Sequence, residues 1–250
     1  MLGTIVLEKY KKKQQEEIAN ALEKLIYDNP TDWSTAGIYC YWNYQTKEIL
    51  YIGLAVNLIE RFKQHNDLIE CSASSCKKDK IKDYFDENEY LGFTIMLQSA
   101  LSQPINHREK KKYSNSFEEE ELSKILGNEG RKSIQKMEGL LIESFKLNFG
   151  RFPIWNQVGG SLVGQKAAKQ SHIEILKLLV SERPNKYVAL ASLTELSTNQ
   201  EYCFYEAYLH GIRISPLPTQ KAIDYNKRIS GLDIYTEIRN KGYFGKELKL

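Results

Sequence analysis

Apolar positions recur at intervals of three and four from Ile5 to Tyr27, in "IVLEKYKKKQQEEIANALEKLIY". That spacing predicts one amphipathic helix, because residues three and four apart share a face. Asn29-Pro30 closes it, since proline disfavours helix in the residue before it. The pattern then shortens. "AGIYCYW" and "EILYIGL" are aromatic and β-branched, with polar "NYQTK" between them, and together they predict a hairpin. Residues 56–69, "VNLIERFKQHNDLI", return to helical spacing with Asn57 placed as N-cap. A serine-rich loop at 72–75 leads to a charged helix, "KKDKIKDYFDEN", and to a third strand, "YLGFTIMLQ", at 90–98.

Between 102 and 130 the texture changes to charge, serine, asparagine and glycine, including "REKKKY" and "EEEE". This predicts an inserted surface excursion, with a helix from Phe117 to Leu126. Residues 131–149 are again strongly helical, and "GRFPIWNQVGG" is a loop punctuated by glycine and proline. From about 161 onward the periodicity is helical, at 165–182, 199–210 and 218–229, with no strand alternation. The predicted organisation is an N-terminal helix (1–35), a mixed α+β core (36–160) carrying the insertion at about 102–130, and a C-terminal helical region (161–250).

Composition narrows the class. The chain has 250 residues and is 42% hydrophobic, which supports a real core and excludes global disorder. The net charge of +3, from 35 basic and 32 acidic residues, is too small to argue for a polyanion partner by itself, so such a site must be a local patch. "KYKKK", "KKDK" and "REKKKY" are the basic runs that would meet DNA phosphates, but acidic neighbours dilute each of them. No apolar run approaches the roughly 20 residues that span a bilayer, so no membrane association is expected. Four cysteines without a disulfide-like framework, and no signal peptide, point to a reducing cytoplasm. His65, Cys71 and Cys76 lack the short Cys-x2-Cys pair of a zinc site.

The candidate chemistry centres on the hairpin. Alternate strand residues share a face, so Tyr39 and Tyr51 are placed as cross-strand or diagonal neighbours. Gly37 and Gly53 flank them. Arg61 and His65 lie four apart and project from one helical face, offering a fixed cation and a titratable imidazole beside the tyrosines. A divalent cation would need a carboxylate on rigid structure. Glu138 opens "EGLLIESF" on the later helix, and Glu143, five residues on, points about 140° away.

"GIY", "YIG", "NLxxRxxxH", "ExxLI" and a proline loop ending in Asn, in that order from Gly37 to Asn156, resemble the GIY-YIG nuclease family, the restriction-type members most of all. The match covers about half the chain. The resemblance implies a three-stranded antiparallel sheet flanked by helices and a hydrolytic site with one Mg²⁺ or Mn²⁺. Position by position, Tyr39 and Tyr51 match the motif tyrosines, Arg61 the helix arginine and His65 the histidine of some restriction-type members. Glu138 matches the metal-binding glutamate, with Leu141 and Ile142 in register, and Asn156 the asparagine that closes the core. Two departures stand out. The Glu138-to-Asn156 gap exceeds the family's usual dozen or so residues, and the 102–130 excursion is an insertion between the third strand and the glutamate helix. By its spacing to Asn156, Glu143 is a rival metal ligand.

The implied activity is metal-dependent hydrolysis of DNA phosphodiester bonds, with RNA left open as substrate. Tyr39 would take the proton of the attacking water, its pKa lowered from an ordinary phenol value of about 10 by Arg61, the metal and a hydrogen bond from Tyr51 or His65. A restriction or other defence enzyme is the leading expectation, as a homodimer or with a partner subunit, because one site cuts one strand. The alternatives are a structure-specific or single-strand repair nuclease, and a catalytically silent nucleic-acid-binding subunit of a larger complex.

Overall fold

A computed structural model of the protein describes residues 2–27, 33–71, 76–99 and 128–250. The strands β1 (Leu2–Tyr10), β2 (Gly37–Asn43), β3 (Ile49–Ala55) and β4 (Leu91–Gln98) form one antiparallel sheet ordered β1-β4-β2-β3. The architecture is α+β, with four strands rather than the expected three. The additional strand comes from the segment that periodicity assigned to the N-terminal helix. Helix α1 is confined to Gln15–Tyr27. Ile5, Val6 and Leu7 are all buried, Ile5 and Leu7 on one side of the sheet and Val6 and Tyr10 on the other. A strand covered on both faces reads as a continuous apolar run, which mimics helical spacing when a true helix follows.

The other predicted elements lie close to their expected places. Helix α2 spans Leu58–His65, and the Asn57 side chain accepts from the Glu60 N–H at 3.0 Å. Helix α3 spans Lys78–Glu87 and helix α4 Asn128–Phe149. The expected helix at Phe117–Leu126, and most of the 102–130 excursion, lie outside the described residues. Helices α1 and α2 cover the sheet face carrying Tyr39, Tyr41 and Phe93. Helix α4 covers the opposite face, against Ile38, Cys40 and Trp42.

The C-terminal region supplies α5 (Leu162–Ala167), α6 (Ile173–Leu178), α7 (Leu193–Thr198), α8 (Gln200–Ile214), α9 (Thr219–Ser230) and α10 (Ile234–Asn240). It is helical as expected, but the stretch expected as helix at 165–182 is broken into α5, a 3-10 turn at Gln170–His172 and α6, and one segment of the region extends the sheet. The Ile5 N–H donates to the Tyr187 carbonyl at 2.9 Å, and the Ala189 N–H donates to the Ile5 carbonyl at 2.8 Å. The outer edge of β1 is thereby occupied, as an unpaired edge must be to avoid pairing with another chain. Glu8 accepts from the Thr194 N–H at 2.9 Å, and Arg213 pairs with buried Glu206 at 2.7 Å while donating to Thr4. Among the described residues, no helix is long and apolar enough to cross a membrane.

Candidate active site

The hairpin register places Tyr39 opposite Gly53 and Tyr41 opposite Tyr51. Tyr39 and Tyr51 are therefore diagonal neighbours, with ring centroids 5.7 Å apart. Gly53 makes room for both rings. A Cβ there would meet the Tyr39 hydroxyl and the Tyr51 ring at 2.7 Å each, closer than any side chain tolerates. The glycine between the two tyrosines is thus a packing requirement of the pair.

Helix α2 brings His65 beneath Tyr39. His65 Nε2 lies 2.8 Å from the Tyr39 hydroxyl, and the Lys77 backbone N–H donates to His65 Nδ1 at 2.8 Å. An Nδ1 that accepts carries no proton, so the neutral ring carries it on Nε2 and donates to the tyrosine oxygen. Burial first, then the charges of Arg61 and Lys77, push the His65 pKa down to about 3. This corrects the expected titratable imidazole: His65 is a fixed neutral donor at physiological pH.

The tyrosines also depart from expectation. Burial pushes the Tyr39 phenol well above its ordinary value, Tyr51 adds to the shift, and Arg61 opposes it. Tyr51 is raised as well, by burial first, while its hydrogen bond with Tyr39 and the Arg61 charge act the other way. A phenol with 3% of its surface exposed loses the hydration that stabilises a phenolate, and one guanidinium does not restore it. Arg61 is half-buried, and its charge is felt by Tyr39, Tyr51 and His65.

Glu138 reaches the site around the free edge of β3. Alternate residues of that strand turn their backbone polar groups outward, and three successive ones find partners. The Leu50 carbonyl accepts from the Trp155 N–H at 2.9 Å. Ile52 is clasped on both sides by the Asn156 amide, which accepts from its N–H at 2.9 Å and donates to its carbonyl at 2.8 Å. The Leu54 N–H donates to Glu138. Asn156 is accordingly an edge clip, its polar atoms spent on backbone. The long gap after Glu138 is helix: α4 runs about three further turns to Phe149 before the chain returns.

Glu138 sits close to Gly160, where a Cβ would lie 3.1 Å from its Oε2, and its charge is felt by Tyr51. Gly139 permits this approach, because a Cβ there would come within 2.3 Å of the Ser161 carbonyl. Burial pushes the Glu138 pKa up to about 7, against the pull of the Leu54 N–H. Glu143 faces elsewhere and lies 3.8 Å from Lys146. Among the described residues no cluster of three or more His, Cys, Asp or Glu surrounds a common point. A cation on Glu138 would therefore draw its remaining ligands from water and substrate oxygens. A partly desolvated carboxylate held by one N–H fits a hard divalent ion of that kind.

No family model matches the chain, and neither a curated protein nor a solved structure matches it.

Sequence reasoning passed over three contributors. Lys77 orients His65 through its backbone. Asn66 is buried just beyond His65, where it accepts from the Tyr10 hydroxyl at 2.8 Å and donates to the Tyr41 hydroxyl at 3.3 Å. Trp155 packs its ring against Tyr41 and Tyr84 at centroid distances of 6.2 and 6.0 Å. A polar residue directly after a helix-terminal histidine was the one sequence signal for Asn66, and a weak one.

Proposed function

We propose that this protein is a metal-dependent endonuclease that hydrolyses DNA phosphodiester bonds, of the restriction or defence type. The observation that carries the reading is convergence. Five residues spread from position 39 to 138, on two strands and two helices, gather around Gly53 and the β3 edge, and their residue types suit phosphodiester hydrolysis.

In this reading Glu138 holds one Mg²⁺ or Mn²⁺, which when bound polarises the phosphate and stabilises the leaving 3′ oxygen. Arg61 contacts the phosphate and offsets charge that grows on its equatorial oxygens. The general-base step would need the phenolate form of Tyr39, so Arg61 and a bound cation would have to offset the burial that holds the phenol protonated, before that oxygen took the proton of the attacking water. Tyr39, to which the resemblance assigns that step, receives a hydrogen bond from His65 Nε2–H that stabilises the phenolate, and Tyr51 shares the charge through their common hydrogen bond. Asn156 keeps β3 and the Glu138 helix in register.

The test is cleavage of plasmid and single-stranded DNA with Mg²⁺ or Mn²⁺ by wild type, Arg61→Ala, Glu138→Ala and Glu143→Ala, each checked for native circular dichroism. Wild type and Glu143→Ala are expected to cut, and the other two to lose at least a hundredfold in rate. A folded wild type inert on every substrate would overturn the reading. Cleavage that survives Glu138→Ala but not Glu143→Ala would move the metal site.

A further inference from the structure

Lys77 stands at the junction between His65 and helix α3 and contributes two groups there. Its backbone N–H holds His65 Nδ1 at 2.8 Å, and its ammonium lies 5.0 Å from the centroid of the Tyr51 ring. The side chain is half-buried. Its neighbours in sequence are neutralised differently: Lys78 reaches Asp67 at 3.1 Å, whereas no carboxylate among the described residues lies within ion-pair distance of Lys77. An ammonium drawn partly out of water without an anion costs free energy, and an aromatic face offsets only part of it. Burial depresses its proton affinity, as does Lys80, with Cys76 acting the other way.

The surroundings supply the direction. Arg61 from α2 and Lys77 from the start of α3 both act on the neutral His65 ring, so two cations converge from adjacent elements. Tyr39 and Tyr51 lie on the strands behind them, and Glu138 stands across the β3 edge. A guanidinium grips a phosphate with a planar fork, whereas an ammonium is a point charge with three donors that complements it on another oxygen. The stacked Tyr51 ring limits where the Lys77 stem can point.

We propose that Lys77 is a second phosphate-contacting residue of the site, binding the DNA backbone beside Arg61. The assignment rests on the nuclease reading above and adds to it a cation that no motif carries. Backbone and side-chain roles are separable by mutation. Lys77→Met keeps the N–H that orients His65 and removes only the charge, while Lys77→Arg keeps the charge.

The experiment is binding of a short labelled DNA duplex to the full chain, with Ca²⁺ replacing Mg²⁺ to prevent cleavage, across a range of salt concentrations. Each lost phosphate contact lowers the slope of log K against log salt by about 0.9. Lys77→Met and Lys77→Gln are expected to show that loss of slope and about tenfold weaker binding at low salt, with Lys77→Arg keeping the wild-type slope. A merely structural lysine would change the unfolding midpoint and leave the slope alone. Wild-type slope in both neutral variants, with wild type binding DNA, overturns the assignment and leaves the nuclease reading standing. A folded wild type that neither binds nor cuts DNA removes both.

Discussion

Glu138 carries two opposed demands, because burial favours its neutral form and the proposed metal binding would need its charged form. Its folded pKa of about 7 lies above the ordinary carboxylate value of 4.5. The folded state therefore holds the proton more tightly than the unfolded chain, and the associated stability is present below about pH 4.5 and lost as pH rises through about 7. Two outcomes are expected. Glu138→Gln should abolish cleavage and raise the thermal midpoint relative to wild type at pH 8, with the gain vanishing near pH 4. In wild type, cleavage at low Mg²⁺ should rise through about pH 7, and the apparent pKa should move down as Mg²⁺ competes with the proton. A midpoint unchanged at pH 8 would show that burial does not raise the Glu138 pKa, and a profile insensitive to Mg²⁺ would separate Glu138 from the metal. Gly53 makes an independent prediction. Gly53→Ala forces its Cβ into both tyrosine rings, and should cost about 1–3 kcal/mol in denaturant unfolding and most of the cleavage rate.

At the scale of elements, the edge of β3 explains how a carboxylate on the far side of the sheet joins tyrosines on the near side. An edge strand leaves alternate N–H and carbonyl groups without sheet partners, and these must be met elsewhere. Here Trp155, Asn156 and Glu138 meet them in succession along the strand, so the same hydrogen bonds that finish the sheet also locate the acid. Asn156→Ala should destabilise the fold by about 1–2 kcal/mol for two lost hydrogen bonds. It should also slow cleavage through loosened β3 geometry, without the change of metal dependence expected at Glu138. Denaturant unfolding and a Mg²⁺ titration of the rate separate the two effects. Much of this level was legible beforehand. The strand period put Tyr39 beside Tyr51, and the helix period put Arg61 and His65 on one face. Which face of α4 meets β3 was not, because Glu138 and Glu143 are both compatible with the local pattern and differ only in what lies opposite.

For the whole molecule, the C-terminal helices and the sheet that carries the candidate site are joined through β1. Ile5 bonds to Tyr187 and Ala189, Glu8 to Thr194, and Thr4 to Arg213, whose partner Glu206 is fully buried. Removing one member of a buried ion pair leaves the other uncompensated. Arg213→Ala should therefore destabilise the chain by about 3–5 kcal/mol, measured by denaturant midpoint. Cleavage by the fraction that remains folded should keep the wild-type rate, since Arg213 lies outside the site. A loss of rate with stability intact would instead place Arg213 in the activity.

Local physics was enough for the β2–β3 hairpin, the Asn57 cap, α3 and α4, because alternation, capping and helical period are set by residues a few positions apart. The resemblance of Tyr39, Tyr51, Arg61, His65 and Glu138 to a nuclease motif series was visible for the same reason. What the tertiary structure alone decided depends on distant partners. Residues 5–10 became a strand because β4, some eighty residues later, offers its edge. His65 became a neutral donor, and Tyr39 a phenol harder to ionise than water-exposed tyrosine, because burial withdraws the hydration their charged forms need. Asn156 became a clip, and Lys77 a cation with no carboxylate at ion-pair distance among the described residues, because of what packed against them, and no spacing along the chain encodes that.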